Sequence, residues 1–127
     1  MTRYLTLYTI FLVLLGCSDS LDCESVRLGK YFISTDYIGD IIIERTDSVF
    51  TESTPKNNKS TISRISWINE CEFVLSKPIS STNEIPNLDL NETIHCQIIR
   101  IESSYHVVKC DFEDGSIVEY KLTPVLN

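Results

Sequence analysis

The sequence predicts an all-β domain: an antiparallel meander of seven or eight strands that closes, fully or partly, into a small barrel. Apolar, β-branched and aromatic residues alternate with polar residues at period two, and no segment carries a convincing apolar stripe at helical spacing. Short turns separate the alternating segments, and consecutive strands joined by short turns pair antiparallel. A closed barrel removes exposed strand edges and can offer a mouth to a small apolar ligand.

The alternation places the strands near 28–34, 38–45, 48–53, 60–68, 72–77, 92–101, 105–112 and 117–123. Two polar stretches, 51–61 and 76–91, are loop candidates. We therefore expect hairpins throughout, with the longest connection between the fifth and sixth strands.

Composition excludes several classes of protein. The 127 residues are enough for one domain, and 43% of them are hydrophobic, which permits a globular core. The 18 acidic and 11 basic residues give a net charge of −7. Binding to nucleic acid needs clustered Lys and Arg to neutralise phosphates, so no nucleic-acid partner is expected.

The amino terminus has the pattern of an export signal. Arg3 precedes the uncharged apolar run 5–15, which is too short to span a membrane, because a spanning helix needs roughly 20 residues. A positive flank, a short apolar segment and a small residue at its end are typical of a secretory signal peptide. We expect residues 1–16 to be a signal helix, 17–26 a polar tether and 27–124 the β domain.

The end of this run resembles the lipobox of bacterial lipoproteins, in the sequence Leu14-Leu15-Gly16-Cys17. The resemblance implies cleavage before Cys17, lipidation of its thiol, and attachment to a membrane of the cell envelope. Two or more acyl chains anchor a protein stably, since each buried methylene contributes about 0.8 kcal/mol. An ordinary secretory signal is the alternative, and the membrane and leaflet stay open.

Four cysteines remain beyond Cys17, and export permits disulfides. A hairpin centred at Ser103 places Cys96 directly opposite Cys110, so these two are predicted to pair, and Cys23 and Cys71 pair by elimination. Free thiols are the alternative. No C-x-x-C spacing occurs, so no metal site or cofactor is expected.

The last hairpin contains Glu113-Asp114-Gly115. A two-residue Asp-Gly turn would place Glu119 on the apolar face, opposite Cys110. A three-residue loop with Gly115 in the left-handed conformation instead pairs Cys110 with Val118, and Val108 with Tyr120, and we predict this loop.

Trp67, Phe73 and Tyr120 are the aromatic residues predicted to be core or ligand-facing. Strand parity groups Trp67 with Phe73 across the turn that precedes Cys71. A core anchor is the expected role for Trp67, and stacking on a ligand is the alternative.

No catalytic constellation is present in the sequence. It contains no G-x-S-x-G, H-E-x-x-H or P-loop pattern, and its two histidines are His95 and His106. A dyad of His106 with Cys96 or Cys110 is conceivable because the three residues share strand parity. A disulfide beside a histidine at a strand end explains the same residues, so we predict no enzyme.

Several short segments resemble small, uncharacterised lipoproteins of Flavobacteria and related bacteria. They are Gly29-Lys30-Tyr31-Phe32, Ile43-Glu44-Arg45-Thr46-Asp47-Ser48, Ile65-Ser66-Trp67 and Cys71-Glu72-Phe73-Val74-Leu75. The Gly-x-Tyr opening followed by a meander also looks like lipocalin-type barrels, which implies a fold but no ligand.

These observations lead to one functional expectation and two alternatives. We expect a non-enzymatic envelope lipoprotein, anchored through Cys17, with a binding or accessory role. A lipocalin-like carrier of a small apolar ligand is the first alternative, and it predicts an interior cavity of several hundred cubic ångströms. An inhibitor or protein-interaction module acting through loop 51–61 or 76–91 is the second.

Overall fold

A computed structural model describes residues 21–82 and 93–126. These residues form a closed antiparallel barrel in which each strand pairs with its neighbours in sequence and β8 returns to β1. The elements are α1 (Glu24–Arg27), β1 (Gly29–Ile33), β2 (Ile41–Arg45), β3 (Val49–Thr54), the 3₁₀ turn η1 (Pro55–Asn57), β4 (Lys59–Trp67), β5 (Glu72–Thr82), β6 (Ile94–Ile101), β7 (His106–Asp111) and β8 (Ile117–Pro124).

The predicted fold class is confirmed, but the loop predicted at 51–61 is wrong. Strand β3 runs to Thr54 and β4 begins at Lys59, so only a tight turn separates them, with Asn58 in the left-handed conformation (φ 54°). Strand β5 also continues five residues beyond the predicted 72–77, into the second loop candidate. Both stretches are rich in Ser and Thr, and the ladder bonds use backbone groups, so a polar sequence can still form a strand.

The predicted register of the last hairpin is confirmed, and the register centred at Ser103 is confirmed as far as Ile98. A bulge between Ile98 and Arg100 then shifts the pairing by one residue, so that Arg100 lies opposite Val107. Cys96 lies opposite Cys110, and the last hairpin pairs Cys110 with Val118 and Val108 with Tyr120. Gly115 has a φ of 88°, which fits the predicted left-handed position, and its amide donates to the carbonyl oxygen of Phe112 at 3.0 Å. The glycine therefore sets which side chains of β8 face the interior.

Helix α1 covers one end of the barrel, which we call the closed end. A disulfide joins Cys23, directly before the helix, to Cys71 in the β4–β5 turn, as predicted. The carbonyl oxygen of Val26 accepts hydrogen bonds from Arg45 Nη2 at 2.7 Å and from the hydroxyl of Tyr31 at 2.9 Å. The helix begins inside the segment 17–26 predicted as a polar tether, so the packed domain begins earlier in the chain than expected.

The barrel is closed by a short seam between its first and last strands. Only Tyr31 with Pro124 and Phe32 with Thr123 are paired there. One further bond runs from the amide of Val125 to the carbonyl oxygen of Lys30, at 3.0 Å. All of these contacts lie near the closed end, because β1 begins and β8 ends there.

Candidate functional site

The barrel contains a cavity of about 320 Å³ that is partly open to solvent. Most of its wall is aliphatic or aromatic, with β1, β2, β3, β5, β6, β7 and β8 all contributing side chains. Representative wall residues are Ile33, Ile41, Phe50, Leu75, Ile94 and Phe112. The volume lies at the lower end of the range typical of small-molecule sites.

Two of the three predicted aromatic residues line this cavity. Phe73 is 1% exposed and forms part of its wall, together with Tyr120. Trp67 does not line it. Its ring centroid lies 4.8 Å from that of Phe73, and the guanidinium of Arg27 lies 4.6 Å from the indole centroid. Trp67 therefore acts as a packing residue between the barrel wall and α1.

Cys96 and Cys110 also line the cavity, and both are buried. Their sulfur atoms are 3.0 Å apart, which is contact distance and longer than the roughly 2.05 Å of a disulfide bond. The two residues are thus thiols in this structure, and their disulfide stays a prediction. The hydrogen bond with Cys110, together with burial, raises the pKa of the Cys96 thiol, which makes it a poor nucleophile at neutral pH.

Arg45 is the cavity-lining residue that sequence reasoning missed most clearly. It is 1% exposed, and its guanidinium lies 5.1 Å from the ring centroid of Tyr31 and 5.6 Å from that of Phe73. Nη2 donates to Val26 and also to Nε2 of His106, at 2.7 Å in each case. Nε and Nη1 are shielded from solvent and have no hydrogen-bond partner among the described residues.

His106 is fully buried beside this arginine. Because a guanidinium can only donate, Nε2 must be the acceptor and Nδ1 must carry the proton of the neutral ring. Burial, reinforced by the positive charge of Arg45, lowers the pKa of His106 to about 3. The acceptor nitrogen is therefore occupied by Arg45, which argues against the Cys–His dyad considered from the sequence.

Glu52 and Tyr120 supply the other polar groups of the wall. Glu52 is exposed to solvent, and desolvation by the neighbouring barrel wall raises the pKa of its carboxyl group. Desolvation, with smaller contributions from neighbouring acidic groups, raises the pKa of Tyr120 to about 12. Glu52 pairs with Ile43 and Arg45 pairs with Phe50, so the backbone of Glu52 lies two residues further from the closed end than that of Arg45.

Strand parity could have identified Arg45 and Glu52, which were not predicted as cavity residues from the sequence. Arg45 shares parity with Ile41 and Ile43, and Glu52 shares parity with Phe50. A charged residue on an apolar face at a strand end is normally expected to point into solvent. Helix α1 prevents this for Arg45 by covering the closed end.

In the ranges 21–82 and 93–126, no three His, Cys, Asp or Glu side chains converge as a metal site would require. Within those same ranges no helix has the length and apolar character needed to cross a membrane. The predicted signal peptide 1–16 and the lipidation site Cys17 lie outside the described residues.

The cavity and its polar groups thus define the candidate site of this barrel. Comparison of the chain with protein-family models, with curated proteins and with solved structures finds no significant match.

Proposed function

We propose that this chain is a lipid-anchored protein of the bacterial envelope that binds a small, mainly apolar molecule inside its barrel and carries out no catalysis. The cavity is the observation that supports binding most directly. An apolar cavity of about 150 Å³ holds benzene, so the present one suits a molecule of about 12 non-hydrogen atoms.

The expected affinity follows from the burial of apolar surface. At about 0.8 kcal/mol per buried methylene, a ten-carbon chain gains up to roughly 8 kcal/mol, which corresponds to a Kd of about 1 μM. Ordering of the chain reduces this gain, so we expect values in the micromolar range. Saturated alcohols of about ten carbons are therefore suitable neutral probes.

Substituting Val108→Phe tests where such a probe binds. Val108 is 3% exposed and lines the cavity, so a larger ring at this position occupies the space that the ligand needs. We expect decanol, titrated into the purified protein by calorimetry, to bind this variant at least about tenfold more weakly than wild type.

Lys109→Phe provides the matched control, because it adds the same ring on the same strand, on the opposite face of the barrel wall. Decanol should bind this variant as it binds wild type. An equal loss of affinity in both variants, or no binding of decanol to wild type, would contradict binding in the cavity.

The anchor is proposed from the resemblance of Leu14-Leu15-Gly16-Cys17 to a lipobox. Mass spectrometry of the protein from a bacterial host should show a chain that begins at a diacylated or triacylated Cys17. Globomycin, which inhibits the lipoprotein signal peptidase, should cause the leader 1–16 to be retained. An unmodified Cys17 thiol in the membrane-free fraction would refute the anchor.

The described residues give less support to an inhibitor or protein-interaction module. That alternative depended on long exposed loops at 51–61 and 76–91. The first is a hairpin with a tight turn, and the second lies partly outside the described residues.

A further inference from the structure

Arg45 carries a charge that its described surroundings do not neutralise. An arginine remains protonated in proteins, and an unpaired buried ion is costly, so a buried arginine normally has a carboxylate partner. The groups in contact with Arg45 are instead a backbone carbonyl oxygen, a neutral imidazole and the rings of Tyr31 and Phe73. Each of them interacts favourably with a cation, and none is negatively charged.

The hydrogen-bonding capacity of this guanidinium is also incompletely used. Of its five N–H groups, the two on Nη2 suffice for Val26 and His106, which leaves those on Nε and Nη1. Both bidentate forks of a guanidinium include Nη2, so these remaining donors act singly, and each can donate a charge-assisted hydrogen bond to an oxygen atom of a carboxylate or a phosphate. A side chain of this kind, almost completely buried in the wall of an apolar cavity, has the chemistry of an oxyanion site.

Two carboxylates near the closed end form ion pairs with arginines other than Arg45. Asp47 pairs with Arg27 and Glu102 with Arg100, and all four side chains keep solvent exposure. Glu52 is the acidic residue that lines the cavity, and it lies two residues further from the closed end than Arg45. At about 3.3 Å per residue this backbone offset is roughly 7 Å, and the charged groups that act on Arg45 do not include the Glu52 carboxylate.

We propose that the barrel binds amphiphiles with an anionic head, a carboxylate or a phosphate monoester, and that the head lies at Arg45 while the apolar chain fills the remaining cavity. This inference rests on the proposed binding function and specifies its ligand class. Arg45 then has two roles: it holds α1 on the closed end through Val26, and it supplies the positive charge that selects the ligand.

Four probes with the same ten-carbon chain test this selectivity on the unmodified protein: decanoate, decyl phosphate, decanol and decylamine. Calorimetry should show both anions binding at least about tenfold more tightly than decanol, the effect expected of one buried charge-assisted hydrogen bond, and decylamine binding most weakly. A stronger preference for decyl phosphate than for decanoate would identify phosphate as the head group.

Decanol that binds as tightly as the anions would overturn the proposal while leaving the binding function intact, and so would decylamine as the tightest ligand. If none of the four probes binds, the proposed function fails as well. These comparisons need no variant, so they do not depend on whether a substituted protein folds.

Arg45→Met then assigns the preference to this side chain. The ratio of the affinity for either anion to the affinity for decanol, measured on the same variant, should fall from about ten to about one. Lys109→Met removes a positive charge from the outer face of the barrel and should leave the tenfold preference unchanged. If Arg45→Met does not fold, Arg45→Lys replaces it. That variant keeps the charge without the directed donors of the guanidinium and should retain a reduced preference for anions. A full anion preference in folded Arg45→Met would refute the assignment.

Discussion

Replacing Cys23 and Cys71 together with alanine is expected to lower the free energy of unfolding by about 4 kcal/mol. The bond closes a loop with a sequence separation of 48 residues, and the loop-entropy model gives a stabilisation of this size for such a loop. Since a small domain has only about 5–15 kcal/mol in total, the loss would remove much of its stability. Urea unfolding followed by the fluorescence of Trp67 measures it directly.

The single variants Cys23→Ala and Cys71→Ala are internal controls, because either one breaks the same bond. Both should unfold near the urea midpoint of the double variant, and reductant should move wild type toward the same value. A double variant with the midpoint of oxidised wild type would show that the bond does not form in the protein.

A fall in pH from 6.5 to 3 is expected to destabilise the barrel through His106. The ordinary pKa of histidine is near 6.5, and the folded protein lowers that of His106 to about 3. Between these values the unfolded chain takes up a proton that the folded chain does not, so the free energy of unfolding falls as pH falls. At 1.36 kcal/mol per pH unit, the full loss is about 4–5 kcal/mol.

His106→Gln isolates this contribution, because the glutamine oxygen can accept the hydrogen bond of Arg45 without titrating. The variant should lose less stability than wild type between pH 6.5 and 3, measured by urea unfolding at each pH. The raised pKa of Glu52 acts in the opposite direction, but it is present in both proteins and cancels in the comparison. Parallel profiles for His106→Gln and wild type would contradict the prediction.

The strand order and two hairpin registers could be predicted because both depend on local signals. Alternation fixes which side chains share a face, and Gly115 fixes the turn that aligns Cys110 with Val118. Cys96 and Cys110 could be placed opposite each other for the same reason. Alternation could not predict the bulge between Ile98 and Arg100, which goes with a turn of four residues instead of three.

Helix α1 could not be predicted from periodicity, because four residues complete barely one turn. Its position depends on contacts distant in sequence: the bond to Cys71 and the hydrogen bond from Arg45. The placement of Arg45 inside the barrel depends in turn on this helix. The charged part of the candidate site therefore follows from tertiary packing, whereas its apolar wall follows from alternation.

The short seam between β1 and β8 also bears on the order in which the protein folds. Every other strand pair joins neighbours in sequence, whereas the seam brings Tyr31 and Phe32 to the far end of the chain, beside Pro124 and Thr123. The entropy lost in closing a loop grows with its length, and contacts between distant residues slow folding. The Cys23–Cys71 bond shortens the covalent path between the two edges by linking the start of the domain to its middle. If the Cys23–Cys71 bond forms before β1 pairs with β8, it lowers the entropy lost in that pairing. The rate at which the barrel closes therefore depends on whether the compartment oxidises these two cysteines.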